Sequence, residues 1–503
     1  MRSKKALYNI LTETILQLVT IVCSFILPKL ILDTFGSEYN GIILSITQFL
    51  SYISFLTLGI SGSARVAIYR SKGDNVKISK VVKATQNYMK KITIIFVIYV
   101  IFMMIFYPYI INSSIPNFEI SILIIIIGVG TLFEYSFGVT YSALISALQS
   151  KYLYNIILIV LKIISTVLSV ILIIYSKNII CVKIVGSICL GLGPICLNII
   201  ANKKFNLIKN IDPDTTALQQ KKDVMAHSLA NCVHEYTDIF LLSLFTNVKI
   251  ISIYSVYNIV LNGVKKIESI FTNGLEGAFG EIWAQGNKKK YSDNFNTFEF
   301  LIFSLVSILF TCTAFLIIPF IKIYTSGVKD VNYIVPIFAY LSVLATATVC
   351  LRTPYVIAVQ SVGKYKETKK YAIFEAMINL FSSFILVFKY GLIGVTIGTL
   401  IANLYRTIKY EKYISMNIIN RTRFIFFKRI VWLILCFILC LFIKQFISLE
   451  NINSWITWII YAGIVFAECF SITYLMGYIF YRNELIKSFT ILKNMLKKRK
   501  FSK

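Results

Sequence analysis

Charge is scarce in this sequence: Asp, Glu, Lys and Arg make up only 15% of its 503 residues, against about 25% in an ordinary soluble chain. With 57% hydrophobic residues and a mean hydropathy of +0.75, that shortage excludes a water-soluble enzyme. Histidine occurs only twice, and the ten cysteines are dispersed through apolar runs, as at Cys436 and Cys440, with no CxxC pair. Neither a disulfide framework nor a structural metal site is expected from such spacing. There is no GxGxxG opening a helix, no GKS or GKT after a glycine loop and no HExxH, so ATP-driven and catalytic functions have no residues to carry them. No interval between apolar runs is long enough for a soluble catalytic domain.

What the chain has in abundance is apolar stretches of roughly 17 to 25 residues, each sufficient to cross a hydrocarbon core about 30 Å thick. Seven spans read near 10–32, 41–64, 92–111, 120–146, 152–175, 180–201 and 226–246, and seven more near 250–273, 297–321, 333–352, 371–388, 391–408, 430–447 and 455–479. The expected fold is an all-α polytopic membrane protein of about fourteen transmembrane helices. An even count puts both termini on one side. Of the 51 Lys and Arg, 38 fall in the terminus-side connections and 6 on the other side, at Lys177, Lys249, Lys322, Lys329, Lys389 and Lys444. Retention of basic loops inside places both termini in the cytoplasm. It also absorbs most of the +28 net charge, so no nucleic-acid partner is expected. The terminal KNMLKKRKFSK reads as a tail beside anionic phospholipids. The first span follows MRSKK but contains Glu13 and Gln17 and has no small-residue cleavage site after it, so it reads as a retained helix.

The most polar interval of the first half, 202–225, suggests three domains: a six-helix bundle over 1–210, a second over 211–425, and two added helices with a basic tail over 426–503. The exit of span 2, GISGSARVAIYRSKGD, aligned on that of span 8, GLEGAFGEIWAQGNKK, superposes Gly59 on Gly274 and Gly62 on Gly277. Taken as a repeat, the two bundles are related in the way of many transporters.

Polar residues recur at helical spacing inside several spans. Span 7 carries His227, Asn231, His234, Glu235 and Asp238 on one face. Two readings stay open for it: a water-filled, proton-responsive path with Asp238 as the coupling acid, or a satisfied polar seam. A metal is not expected, since no third soft ligand matches the histidines. Span 8 adds Asn258, Asn262, Lys265, Ser269, Asn273 and Glu276, span 1 adds Glu13 and Gln17, and span 2 adds Gln48. These are the candidate cavity residues. Arg65, Lys265, Lys266 and Arg352 fall near the cytoplasmic ends or in the inner half of their spans. They form either a basic mouth that holds a phosphate by charge-assisted hydrogen bonds or side chains that snorkel to the interface. Glu134 and Lys162 lie near mid-span and are candidates to pair, and the run ILIIIIG at 122–128 reads as lipid-facing.

The segment 11–63, with its proline ending span 1, the FGSEYNG turn, the SITQFLSY core and the glycine-rich exit, resembles the polysaccharide-export branch of the multidrug/oligosaccharidyl-lipid/polysaccharide exporter superfamily. TDIFLLSLF at 237–245, IYSVYN at 253–258 and GLEGAFGE at 274–281 continue the resemblance. It implies a Wzx-type flippase that moves an undecaprenyl-pyrophosphate-linked oligosaccharide across the bacterial cytoplasmic membrane, with two bundles in a MATE-like, V-shaped architecture. It further implies no enzymatic step, no cofactor beyond proton or sodium coupling, and glycan polymerase and glycosyltransferases as partners. Arg65, Lys265 and Arg352 are the residues that this sequence offers to the pyrophosphate. A cation-coupled MATE-type drug or metabolite exporter, a lipid II flippase and a non-transporting membrane scaffold are the competing readings.

Overall fold

The computed structural model describes residues 2–57, 59–71, 74–208, 210–214, 236–273, 275–445 and 452–488. His227, Asn231, His234, Glu235 and Gly274 lie outside them. The described residues form helices α1 (Arg2–Ser51), α2 (Ser54–Thr57), α3 (Ile60–Arg70), α4 (Asn75–Ile110), α5 (Asn117–Phe133), α6 (Val139–Ala147), α7 (Tyr152–Tyr175) and α8 (Ile179–Phe205). They continue with α9 (Tyr236–Phe245), α10 (Val248–Thr272), α11 (Leu275–Ala284), α12 (Lys288–Tyr324), α13 (Pro336–Val362), α14 (Tyr365–Ile414), α15 (Phe424–Lys444) and α16 (Trp455–Phe480).

Ten of these helical stretches are long and apolar enough to span a membrane, and two account for more than one expected span each. At 50 residues, α1 and α14 would each be about 75 Å long if straight, far more than a bilayer core. Each is broken at a glycine with positive φ, Gly36 at 83° and Gly391 at 50°, a backbone region that a Cβ disfavours. At Gly391 the chain doubles back, for Ser383 Oγ donates to the Val395 carbonyl at 3.2 Å and Asn379 Nδ2 to Thr399 Oγ1 at 2.9 Å. The polar α10 and the short α9 complete the fourteen expected spans.

Helix ends follow their caps more than their apolar runs. Asp74 accepts from the backbone N–H of Val76 and Lys77, so α4 begins well before the apolar segment expected near 92, and its first turns carry Lys77, Lys80 and Lys83. Asn287 caps α12 in the same way through Lys290 N–H, Asn178 caps α8, and Ser454 with Thr457 forms a capping box on α16. The run 122–128 is not wholly lipid-facing: Leu123 and Ile124 are buried while Ile125 is exposed, because consecutive helical positions point about 100° apart.

The chain divides into two compact units. Unit 1 comprises Met1–Ile259, Gly327–Val331 and Ser383–Val395; unit 2 comprises Val260–Ser326, Asn332–Ser382 and Thr396–Lys503. The division falls inside α10, which contributes residues to both units. In unit 1, Ile68, Ile78, Val82, Leu144 and Leu197 bring α3, α4, α6 and α8 together. Small residues set the closest approaches: a Cβ on Gly41 would overlap the Val248 carbonyl oxygen, and one on Gly130 would stand 2.8 Å from Ser187 Oγ. Such contacts suit helices whose association in lipid depends on close packing. After the break at Gly36 the helix restarts at Ser37, whose N–H and hydroxyl both donate to the Asp330 carboxylate, at 3.0 and 2.7 Å. In unit 2, α12 is central, with most of its apolar length buried.

Gly41→Ala should therefore lower the thermal unfolding midpoint in detergent, by an amount equivalent to about 1–3 kcal/mol of overpacking. Gly463→Ala, where an added Cβ meets nothing within 4 Å, should leave the midpoint unchanged; equal midpoints for both variants would refute the close α1–α10 approach.

Candidate functional site

Unit 2 holds buried charge at two centres. The first is on α12, where Glu299 is 0% exposed. Arg421 grips it with two hydrogen bonds, Nη1 to Oε2 at 2.5 Å and Nη2 to Oε1 at 2.6 Å. Arg429 Nη1 and the Tyr355 hydroxyl donate to the same carboxylate. Arg421 also donates to Asn296 Oδ1 and Ser415 Oγ, and Arg429 to the Asn296 carbonyl. One carboxylate thus fastens α12, α13, the turn before α15 and α15 itself.

The second centre lies on α13 and α14. Glu375, buried, accepts from Arg352 Nη1 on Oε1 and from Arg406 Nη1 on Oε2, both at 2.5 Å. Arg406 Nη2 donates to the Tyr410 hydroxyl at 3.1 Å, and its guanidinium lies over that ring at 4.9 Å, a cation–π arrangement. Arg352 is 6% exposed. Glu268, buried on α10, lies within electrostatic reach of Lys265, and Cys350 within that of Glu268, Lys265 and Arg352. Among these residues the basic side chains, Lys265, Arg352 and Arg406, outnumber the carboxylates, Glu268 and Glu375, by three to two.

Such a group needs its partners. A lone arginine or lysine at the centre of a membrane helix costs about 2.5 to 3.5 kcal/mol on insertion scales. Each carboxylate here takes two guanidiniums in bidentate or bridging geometry, which holds all three charges together.

The expected site residues fall as follows. Lys265 and Lys266 are half-buried on α10, and Lys265 and Arg352 both lie within electrostatic reach of Cys350. Arg65 is exposed on α3, in unit 1. Glu13 pairs with Lys151 at 2.9 Å and accepts from Asn155 and Gln17, fastening α1 to α7. Asp238 is 5% exposed and accepts from the Tyr254 hydroxyl at 3.2 Å. Gln48 is half-buried with Oε1 lacking a donor, Asn258 is half-buried, and Asn262 and Glu276 are exposed. Glu134 takes its hydrogen bond from Tyr154 at 3.4 Å, not from Lys162, and sits in a π-helical turn, Glu134–Gly138.

Sequence reasoning missed Glu299, Glu375, Arg406 and Arg429. By sequence position Arg406, Arg421, Arg423 and Arg429 belong to a basic cytoplasmic connection, yet Arg406 and Arg429 are 3% and 1% exposed and Arg423 binds Glu411 at 2.9 Å. The available signal was the pair of carboxylates, Glu299 and Glu375, lying within apolar spans. A buried acid in lipid demands a cation.

The described helices define a multi-pass, all-helical membrane protein. No protein-family model and no curated protein sequence matches the chain. Among solved structures it is similar to the lipid II flippase MurJ in an inward closed conformation, with a TM-score of 0.71 at 16% identity over 94% of this chain and 99% of that one. It is also similar to the MATE multidrug transporter DinF-BH, at 0.60 and 14% over 83% and 97%. A third is the outward-facing conformation of a multidrug resistance MATE family transporter of the MOP superfamily, at 0.55 and 14% over 83% and 96%. The chain has the fold that these transporters share.

Glu299→Gln should destabilise unit 2 by about 3–5 kcal/mol, because it leaves two buried guanidiniums uncompensated. Glu367→Gln, which breaks only the exposed pair with Lys364, should not change the melting midpoint in detergent. Equal midpoints for the two variants would refute the anchoring role of Glu299.

Proposed function

We propose that the chain is a flippase for a lipid-linked oligosaccharide, a secondary-type transporter with no covalent step, in the bacterial cytoplasmic membrane with both termini in the cytoplasm. The observation that carries this reading is the cluster of Lys265, Glu268, Arg352, Glu375 and Arg406, whose net charge is positive among apolar helices. An excess of basic side chains among apolar helices suits an anionic head group, as pyrophosphate is, better than a cationic drug. The fold shared with a lipid II flippase supports transport of a lipid-linked substrate, and the likeness of 11–63 to the polysaccharide-export branch favours undecaprenyl-pyrophosphate glycans for surface polysaccharide assembly. The pyrophosphate would meet half-buried Lys265 and Lys266 of unit 2 first, with Arg352 behind them, and Arg65, in unit 1, is proposed as a separate head-group contact. The glycan would travel among polar side chains while the polyprenyl chain stayed in lipid, so that sugar hydroxyls never lose hydrogen-bonding partners. Asp238 is proposed as the group that couples movement to a proton or sodium gradient. Glycan polymerase and glycosyltransferases are the proposed partners, and no cofactor is needed.

Complementation tests the reading. In a bacterium lacking its polysaccharide flippase, the chain should restore surface glycan and move the lipid-linked precursor to the outer leaflet. Rescue only of a strain lacking its lipid II flippase would shift the substrate to the peptidoglycan precursor, and efflux of cationic dyes without either rescue would favour a drug exporter. In the rescued strain, Lys265→Ala should reduce outer-leaflet delivery roughly tenfold, the loss of about one charge-assisted hydrogen bond, at unchanged protein level; full delivery would remove Lys265 from the path. Asp238→Asn should flatten the dependence of delivery on external pH or sodium, and an unaltered profile would reject coupling through Asp238.

A further inference from the structure

We propose that unit 1 carries a saccharide-binding subsite at the end opposite its basic connections, in a cavity bounded by the break in α1, the start of α5 and the α7–α8 turn. The cavity measures about 540 Å³ and is lined by Phe35, Tyr39, Phe118, Glu119, Lys177 and Asn178 among others. Its size falls within the range of small-molecule sites. The proposal rests on the flippase reading and deepens it, since this is the end at which a translocated glycan would leave.

The lining has the two chemistries that a pyranose ring needs. A sugar ring has an apolar C–H face and an edge of hydroxyls that both donate and accept. Three aromatic rings supply apolar surface, and tyrosine adds a polar tip. Tyr39 donates from its hydroxyl to Glu119 Oε1 at 3.0 Å, which fixes the carboxylate and leaves Oε2 with no protein donor among the described residues. Asn178 Oδ1 accepts from the N–H of Ile180 and Cys181, so the cap of α8 orients the amide and reserves its Nδ2 as a donor. Lys177, in the left-handed region at φ 48°, makes no ion pair among the described residues. A carboxylate acceptor, an amide donor and an ammonium therefore border aromatic surface in one cavity. Phe118 is 78% exposed, and unit 1 does not cover it. A phospholipid head group could meet Glu119 and Lys177 with its two charges, but it has no ring face to set against the aromatic residues.

The test uses the full chain in cells that depend on it. Lys177→Cys is labelled with a membrane-impermeant maleimide in two otherwise identical strains, one making the lipid-linked oligosaccharide and one blocked in its first glycosyl transfer. Labelling should be about threefold slower where the glycan is made, as expected for a site with ligand at about twice its Kd. Tyr109→Cys, 79% exposed at the end of α4 and outside the cavity lining, should label equally in both. Phe118→Cys provides a second reporter in the cavity should Lys177→Cys fail to reach the membrane. Equal rates in the two strains at both cavity positions would overturn the subsite, and slow labelling in both would assign the cavity to a phospholipid, overturning it as well. Wild-type delivery of glycan to the outer leaflet, scored in parallel, separates the two ideas: delivery without protection removes only the subsite, whereas no delivery removes the flippase reading too.

Discussion

A buried carboxylate that binds two guanidiniums is the arrangement on which unit 2 depends. Hydrocarbon offers no water to an unpaired ion, so charge within a membrane helix must find its counterion in the protein. Glu299 and Glu375 meet that demand in the same way, each taking two arginines: Glu299 draws together α12, α13 and α15, and Glu375 ties α13 to both arms of the broken α14. The arginines are suited to the task because their planar donors match a carboxylate at two points, which a lysine ammonium cannot do. Removing either acid would strand two cations; removing one arginine would still leave an ion pair. The stability of the unit is thus concentrated in its acids, which are the rarer charge in this strongly basic chain.

Much of the architecture was legible in the sequence, for a simple reason. The bilayer imposes one length on every crossing, and an apolar run of that length is read directly. Helix ends were less legible because they follow capping side chains such as Asp74 and Asn287, which extend α4 and α12 beyond their apolar parts. The break at Gly391 was signalled by a very short interval between two spans. The pairing of Glu375 with Arg352 and Arg406 was not legible, since partners 23 and 31 residues apart leave no local mark. Arg406, at the end of an apolar run, has the same appearance in sequence as a loop arginine held at the interface.

The candidate residues show the same limit. Helical spacing placed Lys265 and Glu276 on one stripe, yet Lys265 is half-buried beside Glu268 while Glu276, beyond the end of α10, is exposed. Spacing determines a face only while the helix continues. Depth along the chain placed Arg352 near the inner end of its span, and the structure adds what depth cannot, that its guanidinium is already bound. A head group approaching this cluster would meet a charge balance rather than a set of free cations, and affinity would come from the excess of basic side chains over carboxylates.

The restart of α1 at Ser37 has a consequence for how the protein is made. Its cap, the carboxylate of Asp330, lies 293 residues further along the chain. At about 5–20 residues per second of synthesis, the segment around Ser37 therefore waits roughly 15 to 60 seconds before the residue that completes its opening helix leaves the ribosome. During that interval any factor able to lend an acceptor to Ser37 would act as a temporary substitute for a part of the chain not yet translated.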